Sequence, residues 1–186
     1  MRTFIAIAVP DSVKQYARML RNHLGQSRVD IKWVEYQNYH LTVKFLGETK
    51  ENILTSISSQ LKIAADSCPQ FYLSAGGLGF FPNQRHPRVL WMGIRGELEK
   101  AAFLGERVDA YLAHSGFEAE AEHRFHLTLG RIRSENNLPA MMKIITEDVD
   151  EHKFVAFKVD QIQLMESQLT KEGPAYTVLE KFTLNG

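Results

Sequence analysis

The 186 residues suffice to bury a proper core, and 44% hydrophobic content is that of a globular chain. Lys plus Arg and Asp plus Glu are both 22, so bulk charge offers no general attraction to a long polyanion, and any nucleic acid has to be gripped locally, at one end or one phosphate. No apolar run reaches the roughly 20 residues of a membrane span, the opening stretch is too short for a signal peptide, and the single Cys68 excludes an intrachain disulfide or a thiolate metal cluster. A cytoplasmic location is expected, with Cys68 a buried small hydrophobe rather than a catalytic thiol.

Thr3 to Val9 has the character of a strand, and Pro10-Asp11-Ser12 opens a helix to about Gly25, with Val13, Tyr16, Ala17, Leu20 and Leu24 at helical spacing. A short strand follows over Ile31 to Val34. The next strand, His40 to Leu46, stops at Gly47, and a helix is expected over Asn52 to Ala65. Phe71 to Ala75 is strand again, with Gly76-Gly77-Leu78-Gly79 as a turn and Phe80 to Arg88, containing Pro82 and Pro87, as an irregular loop. The second half runs in the same order: strand Val89 to Ile94, helix Leu98 to His114, strand Phe125 to Ile132, helix Pro139 to Val149, strand Phe154 to Val159 and a final strand around Ala175 to Thr177.

The parallel extends to residues. His40-Leu41-Thr42-Val43 recurs as His126-Leu127-Thr128-Leu129, an offset of 86 (126 − 40 = 86). The same offset aligns Phe71-Tyr72-Leu73 with Phe157-Lys158-Val159 and Val89-Leu90-Trp91 with Ala175-Tyr176-Thr177. An internal duplication follows, one domain over 1–186 with repeats of about 3–88 and 89–184, whose two lobes face each other across a groove.

Within each copy the strand period of two puts the His beside its Thr on one face and the apolar pair on the other. Two imidazoles titrating near neutrality and two hydroxyls able to bind phosphoryl oxygens suit acid-base chemistry on a phosphate ester. A lone His-x-Thr would be a weak signal; two at equivalent places favour function over inherited packing. The remaining histidines, His23, His86, His114, His123 and His152, lack such partners and are expected at the surface.

Rival chemistries fare worse. His123 and His126 have an H-x-x-H spacing, but an odd offset sends them to opposite faces of a strand, and no carboxylate or Cys cluster completes a metal site. Gly76 to Gly79 is followed by no Gly-Lys-Ser/Thr, and no G-x-S-x-G supports a serine hydrolase. Neither a metal nor a cofactor is expected.

The chain resembles the RNA 2′,3′-cyclic phosphodiesterases, long called 2′-5′ RNA ligases, of the two-histidine phosphoesterase superfamily. The resemblance rests on Thr3-Phe4-Ile5-Ala6-Ile7, on Lys32-Trp33-Val34 leading to His40-Leu41-Thr42-Val43-Lys44-Phe45-Leu46-Gly47-Glu48, and on Gly77-Leu78-Gly79-Phe80-Phe81-Pro82. It continues through Pro87-Arg88-Val89-Leu90-Trp91-Met92-Gly93, His126-Leu127-Thr128-Leu129-Gly130-Arg131 and Glu166-Ser167-Gln168-Leu169, followed by Gly173, Tyr176 and Leu179. One departure is Phe125, where the family pattern has Pro ahead of the second His.

What the resemblance implies is an α+β, bilobal, internally duplicated fold with two antiparallel sheets lining a central cleft and helices outside. It further implies metal-independent opening of a terminal RNA 2′,3′-cyclic phosphate to a 2′-phosphate, with 2′-5′ ligation at most a side activity. His126 is assigned as base and His40 as acid, the near-symmetry leaving the reverse open, with Thr42 and Thr128 on the nonbridging oxygens. Arg131 and Phe45, each five residues past its His, are candidates for a phosphate clamp and a base-stacking wall. On a regular strand both would point away from the histidines; a bulge at Gly130 could re-aim Arg131, whereas Phe45 could equally be core. The expected partner is an RNA 3′ end with a cyclic phosphate, or a nucleotide, bound by a monomer. A related phosphodiesterase acting on 2′-5′ oligonucleotides or a small cyclic nucleotide stays open, as does a non-catalytic nucleotide-binding module, which the intact His and Thr pairs speak against.

Overall fold

Strand and helix alternate along the chain much as the hydrophobic pattern implies. The structure, a computed structural model, describes residues 1–186. In chain order the elements are β1 (Arg2–Ala8), α1 (Asp11–Gly25), β2 (Ile31–Trp33), β3 (His40–Glu48), α2 (Leu54–Asp66), β4 (Phe71–Phe81) and β5 (Val89–Gly96). Then come α3 (Leu98–Leu112), β6 (His126–Ile132), α4 (Leu138–Asp148), β7 (Phe154–Val159), β8 (Gln161–Thr170) and β9 (Gly173–Thr183).

All pairings are antiparallel, in two sheets ordered β3-β1-β8-β9 and β2-β6-β5-β4-β7. Each sheet therefore takes strands from both sequence halves. In the first, β1 lies between β3 of its own half and β8 of the other; in the second, β5 lies between β6 and β4 in the same way. This interleaving welds the halves into one body, with 38 buried residues in a single apolar cluster.

The helices bury the stripes that their spacing implies: Val13, Tyr16, Ala17, Leu20 and Leu24 on α1, and Ile57, Leu61, Ala64 and Ala65 on α2. α2 and α3 pack against each other, α3 burying Ala101, Leu104, Val108 and Leu112. Truncating a fully buried residue such as Leu104 to Ala would cost about 2–5 kcal/mol. No helix is long and apolar enough to cross a membrane.

Three expectations fail, the first being that the loop starts at Phe80: Phe80 and Phe81 are the last residues of β4, held in strand by pairing with Leu90 and Val89. Gly76 to Gly79 is no turn but the middle of the eleven-residue β4, with Gly77 as an extra residue between the Gly76↔Gly93 and Leu78↔Met92 pairs. Glycine is required for contact here: a Cβ at Gly79 would meet the Trp91 ring at 2.2 Å, and one at Gly76 would meet the Lys153 carbonyl at 2.1 Å. His123, expected at the surface, is buried among charged groups described below.

Candidate active site

β3 starts at His40, straight after a 3-10 turn over Tyr36–Asn38. Leu41 and Val43 enter the core, leaving His40 and Thr42 on the opposite face. His40 is held at both nitrogens: Nδ1 lies 2.7 Å from the Asn38 carbonyl oxygen and Nε2 lies 2.9 Å from Thr42 Oγ1. A carbonyl oxygen only accepts, so Nδ1 carries the proton, and Nε2 of the neutral ring accepts from the Thr42 hydroxyl. The ring packs 5.0 Å from Phe4 and edge-on, at 5.3 Å, to Tyr176 of β9.

The second pair is built on β6 by the same alternation. Leu127 and Leu129 are in the core, and Phe125 packs against that core just ahead of His126. His126 pairs with Gly93, and Thr128 with Trp91. Aromatic packing positions the ring: Phe81 stands edge-on at 4.9 Å and Trp91 lies at 6.0 Å. Trp91 reaches this place by lying across Gly79.

Both strands are bulged at the equivalent residue. Opposite β1, Val43 is the extra residue between the Thr42↔Ala6 and Lys44↔Ile5 pairs; opposite β5, Leu129 is the extra residue between Thr128↔Trp91 and Gly130↔Leu90. One extra residue inverts the alternation beyond it. Phe45 and Arg131 therefore share a face with their own His and Thr, as their partners Phe4 and Val89 show, while Lys44 and Gly130 turn inward. The extra residue is Leu129 and not Gly130, which is paired with Leu90, and it sets Arg131 on the His126 face; Phe45 is 72% exposed rather than core.

The two strands, β3 and β6, meet at the seam between the sheets. Lys32, paired with Arg131 across β2 and β6, donates to the Glu172 carbonyl oxygen in the β8–β9 turn at 3.2 Å, tying the second sheet to the first. At the edge of the first sheet, Asn38 Nδ2, just ahead of β3, donates to the Pro174 carbonyl oxygen of β9 at 2.9 Å. Burial pushes the Tyr176 phenol up, and the Arg131 charge, facing it from the other sheet, opposes that rise.

Burial also dominates both imidazoles. It pushes His40 below the usual histidine range; the Asn38 carbonyl opposes this and the Lys14 charge adds to it. His126 is lowered by burial alone. Both imidazoles are thus shifted below the usual histidine range, each on a strand face that also carries a threonine hydroxyl, with the Arg131 guanidinium on the His126 face. No group of three or more His, Cys, Asp or Glu side chains is arranged to hold a metal ion.

The family model for LigT-like phosphoesterases matches residues 7–91 and 96–176. The chain belongs to the LigT-like phosphoesterase family. Among curated members, it is 35% identical over 183 residues to the RNA 2′,3′-cyclic phosphodiesterase of Archaeoglobus fulgidus, covering 98% of this chain and 99% of that protein. It is 33% identical over 186 residues to the Thermotoga maritima protein of the same name, covering 100% of this chain and 97% of the relative. The crystal structure of TT0787 from Thermus thermophilus superposes with a TM-score of 0.79 at 27% identity, over 100% of this chain and 99% of that one. E. coli LigT in its apo form matches with a TM-score of 0.73 at 23% identity over 100% and 98%, a likeness of fold.

Sequence reasoning did not single out Phe4, Phe81, Trp91 and Tyr176 as neighbours of the histidines in this family site. Trp91 and Tyr176 stood in the matching segments, but neither has a polar spacing signal; only the strand register places them beside the imidazoles.

Proposed function

We propose that the chain hydrolyses a terminal RNA 2′,3′-cyclic phosphate to a 2′-phosphomonoester by acid-base catalysis with two histidines. The observation that carries this reading is the matched pair of bulged strands, with His40 and Thr42 sharing one face of β3 and His126, Thr128 and Arg131 one face of β6. The names of the Archaeoglobus fulgidus and Thermotoga maritima relatives support the substrate class.

His126 serves as base, taking a proton from water as it attacks phosphorus opposite the 3′ oxygen. His40 serves as acid. Its Nδ1–H already donates to the Asn38 carbonyl, an acceptor that favours the imidazolium, so Nε2 is the atom that delivers a proton to the departing 3′ oxygen. Thr42, Thr128 and Arg131 hold the nonbridging oxygens while charge builds there. The P–O3′ bond breaks, phosphate stays on the 2′ oxygen, and the proton taken by His126 balances the one released by His40. With a 5′ hydroxyl attacking in place of water, the same ring opening forms the P–O5′ bond, releases the 3′ oxygen as a hydroxyl and leaves a 2′-5′ linkage, a side activity of the same groups.

The test is regiochemical. An oligonucleotide ending in 2′,3′-cyclic phosphate should give only the 2′-phosphomonoester by phosphorus NMR or by digestion with an isomer-specific phosphatase. A clean 3′-phosphate product would place the substrate the other way round between His40 and His126 and end this assignment.

A further inference from the structure

The bulge that turns Phe45 into the cleft drives Lys44 into the interior, where its side chain is 2% exposed. Its Nζ meets Asp109 Oδ1 of α3 at 2.7 Å, donates to the Glu118 carbonyl oxygen and lies 3.6 Å from Glu120 Oε1. On the other carboxylate oxygen, Asp109 Oδ2 accepts from His123 Nε2 at 2.6 Å and from the Glu120 amide at 3.1 Å. The His123 ring lies against Gly105 of α3, where a Cβ would stand 2.5 Å from it. Burial pushes the Asp109 carboxyl up, yet the hydrogen bonds from Lys44, His123 and the Glu120 amide outweigh it and hold the group below the usual carboxylate range.

The two halves lead into their histidines differently. His40 is approached through β2 and a 3-10 turn whose Asn38 carbonyl grips the ring. At the equivalent place in the second half, residues 117–125 form no strand or helix, and the His126 ring, unlike that of His40, makes no hydrogen bond to the protein. This irregular lead-in is the segment that Lys44 and Asp109 fasten. Lys44 stands two residues from Thr42 and His123 three residues before His126, so one buried cluster ties the His40 strand to the approach of the other histidine. The counterpart of Lys44 under the 86-residue offset is Gly130, so the cluster exists on one side only. A buried ion pair is a poor source of net stability against an apolar replacement, whereas it fixes geometry sharply.

We infer that Lys44, Asp109 and His123 are positioning residues that set the place of His126 relative to His40. This rests on the reading of His126 as a reacting group. The cluster touches no substrate; it acts by standing in for the strand that the second half lacks.

Lys44→Met leaves Asp109 without its cation and can unfold the chain, so two His123 variants carry the decision. His123→Gln keeps an N–H for Asp109, and His123→Leu removes it, while both leave Lys44 and Asp109 paired. For cleavage of a cyclic-phosphate oligonucleotide, His123→Leu should lose about tenfold or more in kcat with KM within about threefold, and His123→Gln should restore most of kcat, the pattern of a displaced catalytic group. Thermal unfolding of each variant separates position from folding. A folded His123→Leu enzyme with wild-type kcat overturns the inference, and so do equal losses in both variants that merely follow their melting temperatures. His126→Ala, run alongside, tells the two failures apart: an active His126→Ala enzyme defeats the proposed mechanism itself, whereas an inactive one beside a fully active His123→Leu enzyme defeats only the positioning role.

Discussion

Phe45 and Arg131 occupy one and the same place in two strands, each turned into the cleft by a single extra residue, Val43 or Leu129. The duplication thus supplies a flat apolar ring to one wall and a guanidinium to the other. Arg131→Met should lower kcat/KM by about 10- to 100-fold, the worth of a charge-assisted hydrogen bond, for every terminal base alike. Phe45→Ala should lose about 1–3 kcal/mol of stacking by an amount that varies with the base, with no change in melting temperature because the ring is exposed. Steady-state rates on four substrates differing in the terminal base check both. A base-independent effect at Phe45, or none at Arg131, contradicts the assignment.

His40→Ala and His126→Ala should each lower kcat by about 10²- to 10⁴-fold or more, since each deletes one proton-transfer group. Thr42→Ala and Thr128→Ala should be milder. Thr42→Ala also removes the hydroxyl on His40 Nε2, so it should cost more than Thr128→Ala. Circular dichroism establishes folding. A folded His→Ala variant with near-normal turnover would falsify the paired mechanism.

The pH dependence follows from the lowered imidazoles. The base acts only when neutral, so its limb rises with pH through its depressed value; the acid acts only when protonated, so its limb falls through its own. With both below the reference of about 6.5, the optimum of kcat/KM should lie on the acid side of that value. In the complex, the substrate's negative charge favours both imidazolium forms, so the kcat profile should sit at higher pH than the kcat/KM profile. The two limbs belong to the coupled pair rather than to single residues. Rates measured from acid to mildly alkaline pH check this, and a kcat/KM optimum well above neutrality contradicts it.

Turnover should survive a strong chelator unchanged. In the proposed mechanism the acid, base and oxyanion roles fall to imidazole, hydroxyl and guanidinium groups, and no group of three or more His, Cys, Asp or Glu side chains is arranged to hold an ion. Loss of activity in chelator, restored by one divalent ion, would sink the expectation.

Much of this was legible in the chain itself. Alternation over His40 to Val43 and His126 to Leu129 decides which side chains share a face, and helical spacing decides the buried stripes of α1 and α2, because both periods are local properties of the backbone. The repeat at 86 residues likewise needs no coordinates. What the tertiary structure alone decided lies beyond the first irregularity of each strand. A bulge is defined by the partner strand, here β1 or β5 from far along the chain, so the direction of Phe45, Arg131 and Lys44 could not be read from their own neighbours. The run Gly76 to Gly79 looks like a turn until Trp91 and Phe154 arrive to lie on it. His123 looks like a surface residue until Asp109, Lys44 and a helical glycine close around it; a charge can be buried only where partners converge, and convergence is a property of the fold.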